Sequence, residues 1–199
     1  MRGAGPSFSA GLDLSQGAGL AELAGKPSDQ ALAMIQSYQH AFGLAARPGL
    51  VSIALVQGYA IGAGFQLALG CDLRIAAEGA QFSMAEVTLG LVPDLGGTKR
   101  LVELVGYSRA ASLCLTGRRI SATEADQLGL ITELVPADRL EPTANALIEQ
   151  LLAMPRDAVI EIKALLLAAS GRSQAEQEAA EREAQLRRLR ALAGLDTEA

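Results

Sequence analysis

The sequence predicts an α/β core followed by an all-helical region, on three observations. A continuous apolar run with β-branched residues at 50–56, and segments of strand length at 72–76 and 131–135, lie between segments of helical periodicity. Glycine-rich turns stand where strand gives way to helix. From residue 138 onward every segment reads as helix.

Taken in order, residues 1–27 are rich in Gly, Ser and Ala and read as loop with one short helix. A helix is predicted from Ser28 or Asp29 to about Ala46, with Leu32, Ile35, Tyr38 or Gln39, and Phe42 on one face; Arg47-Pro48-Gly49 stops it. The buried strand 50–56 ends in Gln57-Gly58-Tyr59, and Gly62-Ala63-Gly64 opens a short helix through Leu69. A second buried strand follows at 72–76, a short extended piece at 81–84, a turn at 93–97 and helices at 98–105 and 109–115. Ser121 to Glu124 reads as a capping box for a helix that stops at Gly129, ahead of a last strand at 131–135. Helices are then predicted at 140–154, 157–169 and 174–193, the last from a second capping box, Ser173 to Glu176. The division expected is an α/β core over 1–137, short at its N-terminus, and a C-terminal helical region over 138–199 serving oligomerisation and active-site closure.

Composition narrows the classes. The 199 residues are half hydrophobic and one-fifth charged, with a net charge of −5, which suits one soluble domain. With no Trp, three Tyr and four Phe, the core must be aliphatic and closely packed. The acidic balance argues against nucleic acid as a partner. No apolar run reaches the ~20 residues of a membrane helix, and the start lacks the apolar stretch of a signal peptide; a cytoplasmic protein is expected. Cys71 and Cys114 lack metal-ligand spacing and a nearby His, so they read as buried thiols, and no metal is expected. His40, the only histidine, has no partnered Ser or Cys motif and reads as a surface residue, which argues against a histidine-based triad.

The segment 58–66, Gly-Tyr-Ala-Ile-Gly-Ala-Gly-Phe-Gln, carries the first chemical signal. A strand runs through a glycine turn into a helix start, where backbone N–H groups are free and the dipole favours negative charge. Such a turn binds an anion or stabilises a developing one. On the turn alone two rivals stay open: a dinucleotide fingerprint, although Leu67 stands where its third glycine belongs, and glycines placed only for close packing.

The turn has company. Phe8-Ser9-Ala10-Gly11-Leu12-Asp13-Leu14 precedes it; Gly70-Cys71-Asp72-Leu73-Arg74-Ile75-Ala76 and Gln81-Phe82-Ser83-Met84-Ala85-Glu86-Val87 follow. Then come the run 89–101, with Pro93-Asp94-Leu95-Gly96-Gly97 inside it, and Leu115-Thr116-Gly117. In this order and spacing the chain resembles the crotonase superfamily of enoyl-CoA hydratases and isomerases, over about residues 2–163. The resemblance implies a crotonase-like core of repeated ββα units and an acyl-CoA thioester substrate converted through its enolate. It implies no cofactor, coenzyme A being part of the substrate, and assembly as a homotrimer or homohexamer. It further implies that the N–H groups of Leu12 and Ala63 form the oxyanion hole, with Ala10, Asp13 and Gly62 beside the substrate.

For the proton-handling groups, the resemblance puts the two glutamates of a hydratase at Gln66 and Glu86. Gln66 has no titratable proton, so it can orient a water or the substrate but cannot act as a general base. Asp94 stands where the typical hydratase has glycine and where members that move a double bond carry an acid. The set Gln66, Glu86 and Asp94 therefore favours double-bond isomerisation. The alternatives are a hydratase using Glu86 alone, a non-catalytic acyl-CoA-binding protein, and a structural partner. Outside the family pattern, Glu86 also fits a charge at a helix start, and Asp94 a cap for the helix after Gly96-Gly97. Family members carry several dozen residues ahead of this stretch, so the chain is expected to lack the family's N-terminal strands and part of the coenzyme A pocket, leaving strand edges exposed.

Overall fold

A computed structural model describes residues 1–13 and 17–195; Leu14, which closes the first motif, lies outside the described residues, as do 196–199 of the C-terminal region. Two helices, α1 (Gly17–Ala24) and α2 (Ser28–Gly43), precede the first strand, and α2 tightens into a 3-10 turn over Leu44–Ala46. Strands then come in close succession: β1 (Ile53–Val56) and β2 (Tyr59–Ile61) before α3 (Ala63–Gly70), and β3 (Leu73–Ala77) and β4 (Gln81–Ser83) before a 3-10 turn, Ala85–Leu89. Helices α4 (Gly97–Val105) and α5 (Tyr107–Thr116) follow, then β5 (Ile120–Ser121), α6 (Ala122–Gln127) and β6 (Glu133–Val135). The chain closes with α7 (Leu140–Leu152), α8 (Arg156–Ala169) and α9 (Gln174–Leu192).

Each strand pair feeds two small sheets. In one, β1, β3 and β6 run parallel, with Ile53 opposite Leu73 and Ala76 opposite Leu134. In the other, β2 and β4 are parallel and β5 joins β4 antiparallel, with Ala60 opposite Phe82 and Phe82 opposite Ile120. The step from β1 to β2 turns on Gly58 at φ +59°, where an added Cβ would lie 2.4 Å from Pro6 O. This is the repeated ββα build, with the C-terminal helical region present. The core is aliphatic around one aromatic pair: Phe65 and Phe82, ring centroids 5.4 Å apart, packed with Leu69, Met84, Leu101, Ile120 and Leu130.

Several expectations are corrected. The strand expected at 50–56 starts only at Ile53, because Leu50 N–H turns back to Arg47 O and Ser52 N–H donates to Asp72 Oδ2 instead of joining a ladder. β2 and β5 were hidden by their two or three residues, too few for an alternation to register. The inward face of α2 is Ala31, Met34, Ile35 and Phe42, none of them fully buried, while Leu32 is 66 % exposed. Only half of the first capping box forms: Ser121 Oγ accepts from Glu124 N–H at 3.1 Å, but the Glu124 carboxylate pairs with Arg118 at 2.6 Å. The second box, Ser173 with Glu176, is complete. Cys71 is buried, whereas Cys114 is only half-buried; burial pushes both thiols up. His40 is exposed.

The chain divides into two units, Met1–Ala46 with Ser52–Asn145, and Arg47–Val51 with Ala146–Ala199. Both sheets and helices α1 to α6 belong to the first. In the second, α8 and α9 are tied by Arg187, whose guanidinium forks onto Glu161 at 2.8 and 2.9 Å. Lys163, buried on α8, donates from Nζ to Leu50 O.

Candidate active site

The start of α3 presents free backbone donors beside a second chain segment. Segment 9–12 lies along β2: Ser9 N–H donates to Tyr59 O at 2.8 Å, and Ile61 N–H to Ser9 O at 3.0 Å. Two glycines permit the approach. An added Cβ at Gly11 (φ +89°) would stand 2.7 Å from Ile61 O and 3.9 Å from Ala63 N, and one at Gly64 only 2.5 Å from Ser9 Cβ. Gly62 turns the chain at φ +52°, ψ −121° into the helix, whose first internal bond runs from Gln66 N–H to Gly62 O. Ala63 is thus the first helical residue, with an N–H that has no intrahelical acceptor. Among the described residues neither Ala63 N–H nor Leu12 N–H meets an acceptor. Ala10, Leu12 and Asp13 are exposed, Ala63 is half-buried and Gly62 is buried.

Over Gly62 sits the carboxylate of Glu86. A Cβ built on Gly62 would lie 3.4 Å from Glu86 Oε1 and 4.0 Å from Oε2. Oε1 accepts from Gln66 Nε2 at 2.7 Å. Oε2 is buried and, among the described residues, has no hydrogen-bond partner. Gln66 itself is 2 % exposed and fully engaged by protein: its Oε1 accepts from Leu95 N–H at 2.9 Å and from Gly97 N–H at 3.2 Å. A side chain at position 97 would stand 2.6 Å from Gln66 Cγ, so glycine there is what lets the amide reach.

Asp94 is half-buried one residue before Leu95. It does not cap α4, whose N-cap is Gly96 with no side-chain bond. Its own carbonyl accepts from Gln39 Nε2, on α2, at 2.7 Å. The site residues expected from sequence therefore gather as Gly62, Ala63, Gln66 and Glu86 with segment 9–12 beside them, and Asp94 attaches through the backbone behind Gln66. Gln39 was missed, and nothing around it in sequence marks it; its partner is 55 positions away. The backbone donors of Leu95 and Gly97 were equally silent, since any residue supplies an N–H.

Among the described residues there is no group of three or more His, Cys, Asp or Glu side chains able to hold a metal, and no helix is long and apolar enough to cross a membrane. The family model for enoyl-CoA hydratase/isomerase matches residues 1–190. The chain belongs to the enoyl-CoA hydratase/isomerase family. A putative enoyl-CoA hydratase from Thermobifida fusca YX, solved in complex with CoA, superposes with TM-score 0.88 at 50 % identity, covering 97 % of this chain and 76 % of that one. A Thermobifida fusca YX structure in complex with acetoacetyl-CoA gives TM-score 0.86 at 46 % identity, over 94 % and 76 % of the two chains. A probable enoyl-CoA hydratase of Mycobacterium leprae is 46 % identical over 106 residues, 53 % of this chain and 41 % of the relative. The chain spans about half the length of the curated relatives it matches.

Two further motifs of this hydratase/isomerase family chain are accounted for by support of the site. Gly117 ends α5 at φ +62°, where a Cβ would stand 2.9 Å from Thr88 Cγ2 and 3.0 Å from Val87 Cγ1; it seats the turn that carries Glu86, and Ser83 Oγ donates to its carbonyl at 2.8 Å. Arg74 is buried at the other end of α3, donating to Cys71 O at 2.6 Å, Ala68 O at 3.3 Å and Leu130 O at 2.6 Å. Burial holds this guanidinium below its ordinary range, yet it stays a cation at the helix C-terminus, where positive charge is favoured. Asp72 accepts from Ser52 N–H at 2.7 Å and locks β3 to the residue before β1.

Proposed function

We propose that this chain acts on an acyl-CoA thioester, holding the developing enolate oxygen between the N–H groups of Leu12 and Ala63, with Ala10, Asp13 and Gly62 beside the substrate. In this reading Glu86 and Asp94 move the proton. The observation that carries it is Glu86 Oε2, a buried carboxylate oxygen without a partner among the described residues, lying over the Gly62 turn next to the free N–H of Ala63. An unpartnered buried acceptor is costly, and a substrate C–H brought to it is the group it would serve. Gln66 keeps Oε1 occupied and aims Oε2.

Isomerisation of a 3-enoyl thioester follows from this arrangement. One carboxylate takes a proton from the α carbon, the electrons pass into the dienolate, and the negative oxygen rests on the two N–H donors. A carboxyl then returns a proton to the γ carbon, so the double bond moves one place and no atom is gained. Exchange with solvent restores the two carboxyls. Hydration asks for two acid–base groups around one water, and the Gln66 amide cannot supply the second. A Glu86-only hydratase is the second reading, favoured by the hydratase names of the relatives.

The deciding experiment offers the chain 2-enoyl, 3-enoyl and dienoyl thioesters and follows ultraviolet absorbance and product mass. Conversion of a 3-enoyl substrate without mass gain, with solvent deuterium entering the α or γ carbon, is expected. Rapid addition of water to the 2-enoyl substrate instead would make it a hydratase, and binding without turnover would make it a carrier.

A further inference from the structure

We infer that Gln39 is a positioning residue: together with Gln66 it clamps the Asp94–Leu95 peptide and so sets the carboxyl of Asp94 relative to Glu86. The inference rests on the reading of Glu86 and Asp94 just given. The carbonyl of Asp94 and the N–H of Leu95 belong to one planar peptide unit. Gln39 Nε2 donates to that carbonyl at 2.7 Å, and Gln66 Oε1 accepts from that N–H at 2.9 Å. Chemistry fixes both amide orientations, because a carbonyl only accepts and an amide N–H only donates. With its two polar ends held from α2 and α3, the plane cannot rotate, and Asp94 Cα, which lies in it, is placed.

The clamp matters because the loop has soft ends. Gly90 and Gly96 bound it in left-handed conformations, φ +70° and +85°. Asp94 gets no help from capping α4. From the plane the link continues through Gln66 Nε2 to Glu86 Oε1 at 2.7 Å, so one chain of hydrogen bonds relates the backbone that carries Asp94 to the Glu86 carboxylate. Gln39 is itself exposed, on a helix with no fully buried residue.

The test is a double-mutant cycle between Gln39→Met and Asp94→Asn in the full chain, read by turnover of a 3-enoyl-CoA and by melting temperature. Met keeps the length of the side chain and its helix propensity but has no donor. A displacement near 1 Å costs ~10²-fold in rate, so Gln39→Met should lower kcat on the order of tenfold, with KM and melting temperature close to wild type. In the Asp94→Asn background it should cost nothing further. The ratio of deuterium entering the α and γ carbons should shift in Gln39→Met, which a loss of general stability would not produce. A Gln39→Met variant that turns over at the wild-type rate, or one that loses the same factor in the wild-type and Asp94→Asn backgrounds, overturns the inference alone. If Asp94→Asn by itself leaves turnover intact, the reading of Asp94 falls and takes this inference with it.

Discussion

Gln66 donates to Glu86 across 2.7 Å, and the direction of that bond is imposed from behind, because two backbone N–H groups, of Leu95 and Gly97, face the Gln66 oxygen. Only the nitrogen is left to turn toward Glu86. The residue at 66 can therefore be neutral and still make three hydrogen bonds, while one Glu86 oxygen is held and the other is left open.

Gln66→Glu should move the pH profile. The new carboxylate would keep one oxygen on the two backbone donors and push the other against Glu86. Two carboxylates at that separation cannot both ionise, so one of the pair binds its proton to higher pH. Activity needs the unprotonated base, so the acid limb of kcat/KM should shift upward. A profile that superposes on wild type would show that Glu86 is not the base.

Ala63→Pro should remove one oxyanion donor and spare the fold. Ala63 is the first residue of α3, the helical position at which proline is best tolerated, because its N–H has no helical acceptor. Loss of one such donor costs ~10²–10³-fold in kcat. The melting temperature, measured beside the rate, should hold. A folded variant with full turnover would exclude Ala63 from the site.

Gly64→Ala should be destabilising by ~1–3 kcal/mol, the usual range for overpacking a filled contact. The added methyl would meet Ser9 Cβ at 2.5 Å and Ser9 O at 2.7 Å, and backbone cannot swing aside as a long side chain can. Segment 9–12 must lift from α3, so denaturant midpoint and turnover should fall together. Gly5→Ala is the control, because nothing lies within 4 Å of its added Cβ.

What could be read in advance follows a physical line. The helices 98–105, 109–115 and 174–193 repeat an apolar or capped pattern over several turns, and they appear within a residue or two as α4, α5 and α9. Two-residue β5 has no period to show, and it is a strand only because Phe82 pairs with Ile120 from a distant part of the chain. The same split holds at the site. Glu86 and the Gly62 turn are residues the family pattern singles out, and the structure brings them together, with Glu86 Oε1 3.4 Å from a Cβ built on Gly62. Gln66 was legible as a non-base, but its attachment to Leu95, Gly97 and Glu86 depends on a packing that no local signal encodes. Gln39 stands in the sequence only as an alternative to Tyr38 on the inward face of α2, with nothing to connect it to position 94. The apolar face drawn for α2 through Leu32 missed by one position, because a helix with no fully buried residue gives the pattern little to obey.

Assembly through the C-terminal helices is the remaining expectation, and a homotrimer or homohexamer is its proposed form. In the second unit Ile162 is 56 % exposed, Leu166 71 % and Leu192 82 %, with Leu186 and Leu189 also open on α9. Apolar side chains scattered singly need no explanation, but a group of this size on two adjoining helices is more surface than a lone chain usually leaves wet. Closed rotational symmetry would bury it without leaving a growing end. Sedimentation at micromolar concentration should therefore give a single species of three or six chains. Leu166→Glu, which places a charge among these exposed leucines, should shift the protein toward smaller species while its helix content stays the same. A monodisperse monomer in the unsubstituted protein would mean that these leucines face solvent in the working molecule, and the assembly proposal would be abandoned.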